Sequence, residues 1–269
     1  MDSIAPERMG CPYRHPFSHG LVNPAAAVGR IARGAGALYL LDAAEAVGQF
    51  PVDVNEVGCD LLTGTGRKFL RGPRGTGFLW VRDTALERLD PFVAETRSAT
   101  WDGGRGFTCA GVARLRNLGE QLRQHHRPRP AVRQALELRP DAIGDRTRTL
   151  SERLREDLGQ LPGITTHDLG THRCAIVTAK IAGRSADDVA AALGRANINV
   201  STTVAEHNPL DTEERGIHQL IRFSPHYYNT EAEIDRTVAA VAELARAGGA
   251  PKRIPCNPLR CLLQQAAPR

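Results

Sequence analysis

From Asn23 to Val81 the chain alternates short apolar runs with polar or glycine-rich joints. Asn23-Pro24 opens a helix, because asparagine can cap and proline suits the first turn. Val28 and Ile31 follow at helical spacing, and Gly34 and Gly36 end the segment. Leu38–Leu41 reads as a buried parallel strand that stops at Asp42. Cys59–Leu62 reads as a second strand, entered through Val52-Asp53-Val54 and Gly58. Phe78–Val81 reads as a third, after a glycine-rich loop. This order, with near-continuous apolar runs, predicts an α/β sheet covered on both faces.

From about Asp141 the period changes. Leu150, Leu154 and Leu158 recur every fourth residue, as on a buried helix face. Cys174–Ile181, Ile198–Thr202 and Leu220–Phe223 are strand candidates. Ser185-x-x-Asp188 opens a helix through Leu193, and Thr230-x-x-Glu233 opens another through about Arg246. The pattern predicts a small α+β domain over 134–247, behind an α/β part over 1–105. The segment 106–133 holds six arginines (114, 116, 123, 127, 129 and 133) without a clean apolar period. The tail 248–269 is rich in Pro, Gly and Cys. Neither is assigned structure, and the tail reads as disordered.

Composition narrows the class. Of 269 residues, 41% are hydrophobic and 24% charged, as in ordinary globular chains. No stretch approaches the roughly 20 apolar residues that cross a bilayer. Met1–Pro16 lacks the apolar core of a signal peptide, so a cytoplasmic location without a membrane partner is expected. The six cysteines follow no framework and read as reduced thiols. Net charge is +5, and almost all of the basic charge is arginine, with Lys68, Lys180 and Lys252 the only lysines. Arginine enrichment without interleaved aromatics argues against a nucleic-acid partner, although an anion binder using Arg67, Lys68, Arg71 and Arg74 stays open. His125-His126 and Thr171-His172-Arg173-Cys174 lack tetrahedral metal spacing. There is no Gly-x-Ser-x-Gly elbow.

One pairing carries chemistry. Asp42 ends a buried strand, and Lys68 follows the next strand in the turn Thr63-Gly-Thr65-Gly-Arg67-Lys68. Ligands of open α/β sheets gather at the carboxyl ends of strands. Thr65 and the adjacent glycines offer hydroxyl and amide donors to an anion. A carboxylate, a lysine and a phosphate-binding turn are a protein's share of a pyridoxal phosphate site. On spacing alone, a capping Asp42 and a solvated Lys68 are the better reading.

The full strings say more. Leu41-Asp42-Ala-Ala-Glu45-Ala-Val-Gly-Gln-Phe-Pro, with Gly58-Cys-Asp-Leu-Leu-Thr-Gly-Thr65-Gly-Arg67-Lys68-Phe-Leu-Arg-Gly-Pro-Arg-Gly-Thr-Gly, resembles the class V aminotransferase superfamily. The resemblance is to the branch of selenocysteine lyase/cysteine desulfurase-like and isopenicillin N epimerase-like proteins. It is dense over 23–82 and resumes over about 135–243, where Leu220-Ile-Arg222-Phe-Ser-Pro-His-Tyr-Tyr-Asn-Thr resembles the C-terminal-domain signature. It implies part of a fold-type I large domain plus a small α+β domain, pyridoxal 5'-phosphate as cofactor, an amino acid substrate and a homodimer. Lys68 would hold the cofactor covalently and move protons at the substrate's alpha carbon. Asp42 would pair with the pyridine nitrogen, and Thr65 would contact the phosphate. Glu45 stands where the family usually has Gln beside the ring oxygen, and Arg67 where many members have His. Arg222 matches the arginine that binds the substrate carboxylate.

Three departures matter. The stretch Ser201-Thr-Thr-Val-Ala-Glu-His207-Asn, where the family's desulfurases carry a nucleophilic cysteine a little before the arginine, contains none, which disfavours a persulfide-forming desulfurase and leaves an aminotransferase, an epimerase, or a C–S or C–Se lyase. The family has a longer stretch ahead of Asn23, so the chain reads as N-terminally truncated, and a degenerate fragment with little activity is the alternative. Codons exist for Leu115–Pro130 that, read one base later, give a family-like Phe-Glu-Thr-Trp-Glu string. The arginine-rich segment is therefore expected to be out of frame.

Overall fold

The computed structural model describes residues 9–10, 20–89, 99–101, 107–109, 128–204 and 214–247. Strand β1 (Met9–Gly10) pairs in parallel with β2 (Leu38–Asp42), and β2 pairs in parallel with β3 (Leu61–Thr65). The fourth strand, β4 (Gly77–Val81), runs antiparallel to β3, giving the order β1-β2-β3-β4. Between β1 and β2 lies α1 (Ala25–Gly34), and between β2 and β3 lies the short α2 (Val54–Val57).

Side chains alternate along these strands. Tyr39, Leu41 and Leu62 point to one face, where they form a core with Ala25, Val57 and Cys59. Leu38, Leu61 and Val81 point to the other and pack on Ala85 of α3 (Asp83–Leu86). At α1, Pro24 rather than Asn23 occupies the N-cap position. The second strand starts two residues later than the sequence suggests. Gly58 is left-handed at φ 71°, and Asp60 is tied to Tyr39 by its own amide (2.8 Å) and by its carboxylate (2.9 Å). The expected cover on both faces is incomplete, because Phe78 and Leu79 on β4 stay 39% and 41% exposed.

Two strands, β5 (Ala99–Trp101) and β6 (Phe107–Cys109), form a separate hairpin-like pair. Helix α4 (Pro128–Glu137) leads into α5 (Pro140–Gly159). Structure therefore enters both ends of the segment expected to be irregular; residues 110–127 and the tail 248–269 lie outside the described residues.

The C-terminal part is a sheet of β7 (Ile164–Thr166), β8 (Val177–Ile181), β9 (Ser201–Val204) and β10 (Gln219–Phe223), in the order β7-β8-β10-β9 and antiparallel throughout. Helices α5, α6 (Ala186–Arg195) and α7 (Glu231–Ala247) cover one face. Leu150, Leu154 and Leu158 meet Val177, Ile181, Ile221 and Phe223 there, as their spacing predicts. Both expected caps form: Ser185 Oγ accepts from Asp188 N–H (3.1 Å) and donates to the Asp188 carboxylate (2.7 Å), and Thr230 and Glu233 complete the reciprocal box at 3.3 and 2.8 Å. Among the described residues no helix is long and apolar enough to cross a membrane.

The two parts are fastened by polar contacts. Residues 20–22 run beside 172–174, with Cys174 N–H on Gly20 O (2.7 Å) and Val22 N–H on His172 O (2.9 Å). Asp168 accepts from Gly20 N–H (3.3 Å), Thr178 N–H (3.0 Å), Thr178 Oγ1 (2.7 Å) and Arg155 Nε (2.6 Å). Gln49 is fully buried; its Oε1 takes the Ala175 amide (2.9 Å), and its Nε2 donates to Glu45 O (3.2 Å).

Candidate functional site

Because β2 and β3 are parallel and Asp42 stands opposite Thr63, both strands end at the same edge of the sheet. Alternation puts Asp42, Thr63 and Thr65 on one face of it. Asp42 Oδ1 accepts the Ala44 amide at 2.9 Å, so the carboxylate also pins the turn that follows. That turn folds back through Val47 N–H on Ala43 O (2.9 Å) and leaves Glu45 only 9% exposed. Gly48 makes the next contact possible: its φ is +86°, and a Cβ there would lie 2.8 Å from Leu70 N. The backbone after Glu45 is thereby pressed against the turn that carries Lys68.

The result is an ionic array. Lys68 Nζ lies 2.6 Å from Glu45 Oε1, and the Arg222 guanidinium lies 3.9 Å from the same oxygen. Arg222 sits on β10 between Ile221 and Phe223, which face the helices, so alternation sends its side chain to the opposite face, towards the large domain. Its Nε is buried and has no hydrogen-bond partner among the described residues. These groups open onto one cavity of about 610 Å³, lined also by Arg67, Arg71, Ser224, His226 and Tyr228. That volume falls within the range of small-molecule sites. Arg67 stands exposed on its lining.

Aromatic rings form one wall. The His226 ring stacks between Phe69 (4.6 Å between centroids, 17° between planes) and Tyr228 (4.4 Å, 18°). Its Nδ1 accepts the Tyr227 amide at 3.0 Å, which leaves the ring proton on Nε2, a buried nitrogen without a partner among the described residues. Burial, with the nearby Arg71 charge, pushes His226 down to about 4, so the ring is neutral at pH 7. The Arg71 guanidinium lies over Tyr227 at 4.9 Å and Tyr228 at 5.8 Å.

Of the residues expected to act together, Glu45, Arg67, Lys68 and Arg222 line the one cavity. Asp42 and Thr65 stand at the strand tips beside it without lining it, and Thr65 Oγ1 makes only a long bond (3.5 Å) to Thr76 O. The sequence reading missed His226 and Tyr228 as site residues, and named Arg71 only as one cation of an anion binder. All three fall inside the quoted strings, where a non-glycine residue ahead of Gly72 and three consecutive rings after Pro225 were the available signals. Among the described residues no cluster of His, Cys, Asp and Glu suits a metal ion. The described thiols are core groups: Cys59 is fully buried and its pKa is raised by that burial, and burial pushes Cys174 up to about 11.

Comparison with known proteins follows this geometry. The family model for class-V aminotransferases matches residues 17–237. A cysteine desulfurase of Salmonella agona is 30% identical over 239 residues, covering 84% of this chain and 56% of that protein. The chain thus spans about half the length of the curated relatives it matches. In three dimensions it superposes on the apo cysteine desulfurase of Thermococcus onnurineus NA1 with a TM-score of 0.82 at 21% identity, over 89% of this chain and 60% of that one. It also superposes on the cystine C–S lyase C-DES, in a mutant with glycine covalently linked to its PLP cofactor, with a TM-score of 0.73 at 21% identity over 88% and 60%.

Proposed function

The chain belongs to the aminotransferase class-V family, and on that premise we propose that its crevice binds pyridoxal 5'-phosphate and works at the alpha carbon of an amino acid. The observation that carries this is the nearly buried Lys68 amine, held against Glu45 in a cavity that also receives Arg222. The residues present fit the cofactor: the Arg222 Nε is an orphaned buried donor, and four cations meet one carboxylate around the cavity.

Lys68 would hold the cofactor's aldehyde carbon and, once released, move the proton at the alpha carbon. Asp42 would pair with the pyridine nitrogen, and Glu45 would face the ring oxygen. Thr65 and Arg67 would take the phosphate. Arg222 would bind the substrate carboxylate through its planar fork, a geometry lysine cannot supply. The bound cofactor supplies an electron sink for a carbanion at the alpha carbon. The small-domain strand β10 supplies the group that orients that carbon.

Within the family we favour an aminotransferase, an epimerase, or a C–S or C–Se lyase over a persulfide-forming desulfurase. The curated relatives are named cysteine desulfurases. Against that assignment here, Ser201–Arg222 holds no cysteine, and the buried Cys59 and Cys174 thiols are far from the thiolate state a nucleophile needs. A cytoplasmic homodimer is the state proposed with this activity.

The test is direct. Pyridoxal phosphate is added to purified protein, the visible band is recorded, and borohydride reduction is followed by peptide mapping. An adduct on Lys68 that disappears in Lys68→Ala is the expected result. No band at saturating cofactor would favour the second reading, a fragment that keeps the fold without the activity. A band without turnover of any amino acid would mark a surviving site in an inactive chain.

A further inference from the structure

We propose that Arg71 forms a second anion-binding subsite in the crevice, so that the amino acid it accepts carries an acidic group on its side chain as well as its alpha-carboxylate. This rests on the amino acid reading above and names the substrate class for the same site.

Arg71 is placed with some cost. Its φ is +56°, a left-handed conformation that disfavours any residue with a Cβ. Such outliers persist where surrounding structure over-determines them, and they concentrate at ligand sites. Here the surroundings are a tight turn: Arg71 N–H donates to Lys68 O at 2.8 Å, and Gly72 N–H to Gly66 O at 2.6 Å. One turn therefore delivers both the Lys68 amine and the Arg71 guanidinium to the cavity.

The guanidinium is seated without being neutralised. The Tyr227 and Tyr228 rings hold it by cation–π contact at 4.9 and 5.8 Å, which uses the face of the group and leaves its N–H donors available. Among the described residues no carboxylate pairs with Arg71, whereas Glu45 is already engaged by Lys68 and Arg222. The neighbouring Phe69–His226–Tyr228 stack is an uncharged wall, because His226 is neutral at pH 7. Besides Arg67, assigned to the phosphate above, the cavity thus receives guanidinium groups from two different elements, Arg222 from β10 and Arg71 from the turn after β3 that also carries the lysine amine. A substrate with two anionic ends fits that pair; one with an apolar side chain leaves Arg71 unused.

The experiment compares isosteric pairs. L-aspartate against L-asparagine, and L-glutamate against L-glutamine, are titrated calorimetrically into wild-type protein, Arg71→Met and Arg71→Lys, each with and without saturating pyridoxal phosphate. In the wild type the acidic member of at least one pair is expected to bind about tenfold more tightly, the worth of one charge-assisted contact. Arg71→Met is expected to erase that preference, and Arg71→Lys to keep part of it. No acidic preference in the wild type, or one that survives in Arg71→Met, overturns the proposal. So does a visible cofactor band present in the wild type and absent in Arg71→Met, which would assign Arg71 to the phosphate. Should the wild type itself show no band, the cofactor reading fails, and the titrations without cofactor still decide the subsite by the same criterion.

Discussion

Glu45 Oε1 lies 2.6 Å from Lys68 Nζ, with the two side chains only 10% and 13% exposed. Removing one partner of a buried pair leaves the other charge uncompensated, which costs more than the pair gains. Here Arg222 stands at 3.9 Å on the same oxygen, so two cations share this carboxylate. Glu45→Gln is therefore expected to lower unfolding stability by about 2–3 kcal/mol in urea titrations without cofactor. The same change removes a negative charge from the place proposed for the ring oxygen, so cofactor affinity, followed by the visible band, is expected to rise several-fold. Weaker loading in Glu45→Gln would show that the carboxylate assists rather than opposes the cofactor.

The ring stack predicts a pH dependence. His226 titrates near 4 in the folded chain, below the ordinary histidine value, chiefly because it is buried and secondarily because of Arg71. Between the two values the unfolded chain binds the proton and the folded chain does not. The stabilisation is thus complete above about pH 6.5, the model-compound value, and is lost as pH falls towards 4. His226→Phe can keep the stack and cannot titrate. Its loss of melting temperature between pH 7 and pH 5 is expected to be smaller than that of the wild type.

The buried pair between Arg155 and Asp168 should respond strongly. The two are 4% and 1% exposed and make six further bonds: Arg155 with Glu152, Cys174 O and Ile176 O, and Asp168 with Thr178 N–H, Thr178 Oγ1 and Gly20 N–H. Asp168→Ala is expected to cost about 3–5 kcal/mol by urea denaturation. The double variant Asp168→Ala/Arg155→Met should cost less than the sum of the single changes, because it leaves no orphaned charge.

Gly48→Ala tests the contact behind the site. At φ +86° and with Leu70 N 2.8 Å from the added carbon, the change combines backbone strain with a clash against main chain. A loss of about 2 kcal/mol or more is expected by thermal or urea unfolding. Pyridoxal phosphate loading should fall with it, since Lys68 lies on the turn that must move.

Much of this was legible in the chain. The fourfold leucine spacing of α5, the Ser185 and Thr230 caps and the Leu38–Asp42 strand depend on local pattern, and each forms where its residues predict. The antiparallel course of β4 and the exposure of Phe78 and Leu79 were not legible, because strand direction is set by the connection rather than by the run itself. The Lys68–Glu45–Arg222 array joins residues that are distant in sequence and is set by tertiary packing. Its members could be named individually from the family strings, but not their pairing. The placement of Arg71 and His226 was not legible for a related reason: it lies in a backbone angle and a ring stack, which tertiary packing sets.

The fastening of residues 20–22 to 172–174, with Gln49 and Asp168 bridging the same boundary, has a mechanical meaning. Lys68 follows a strand of one sheet and Arg222 stands on a strand of the other, and these foundations are bolted together through buried polar groups. The span between the two is therefore fixed by the frame, and a ligand fitting that span would meet a gauge already set to size.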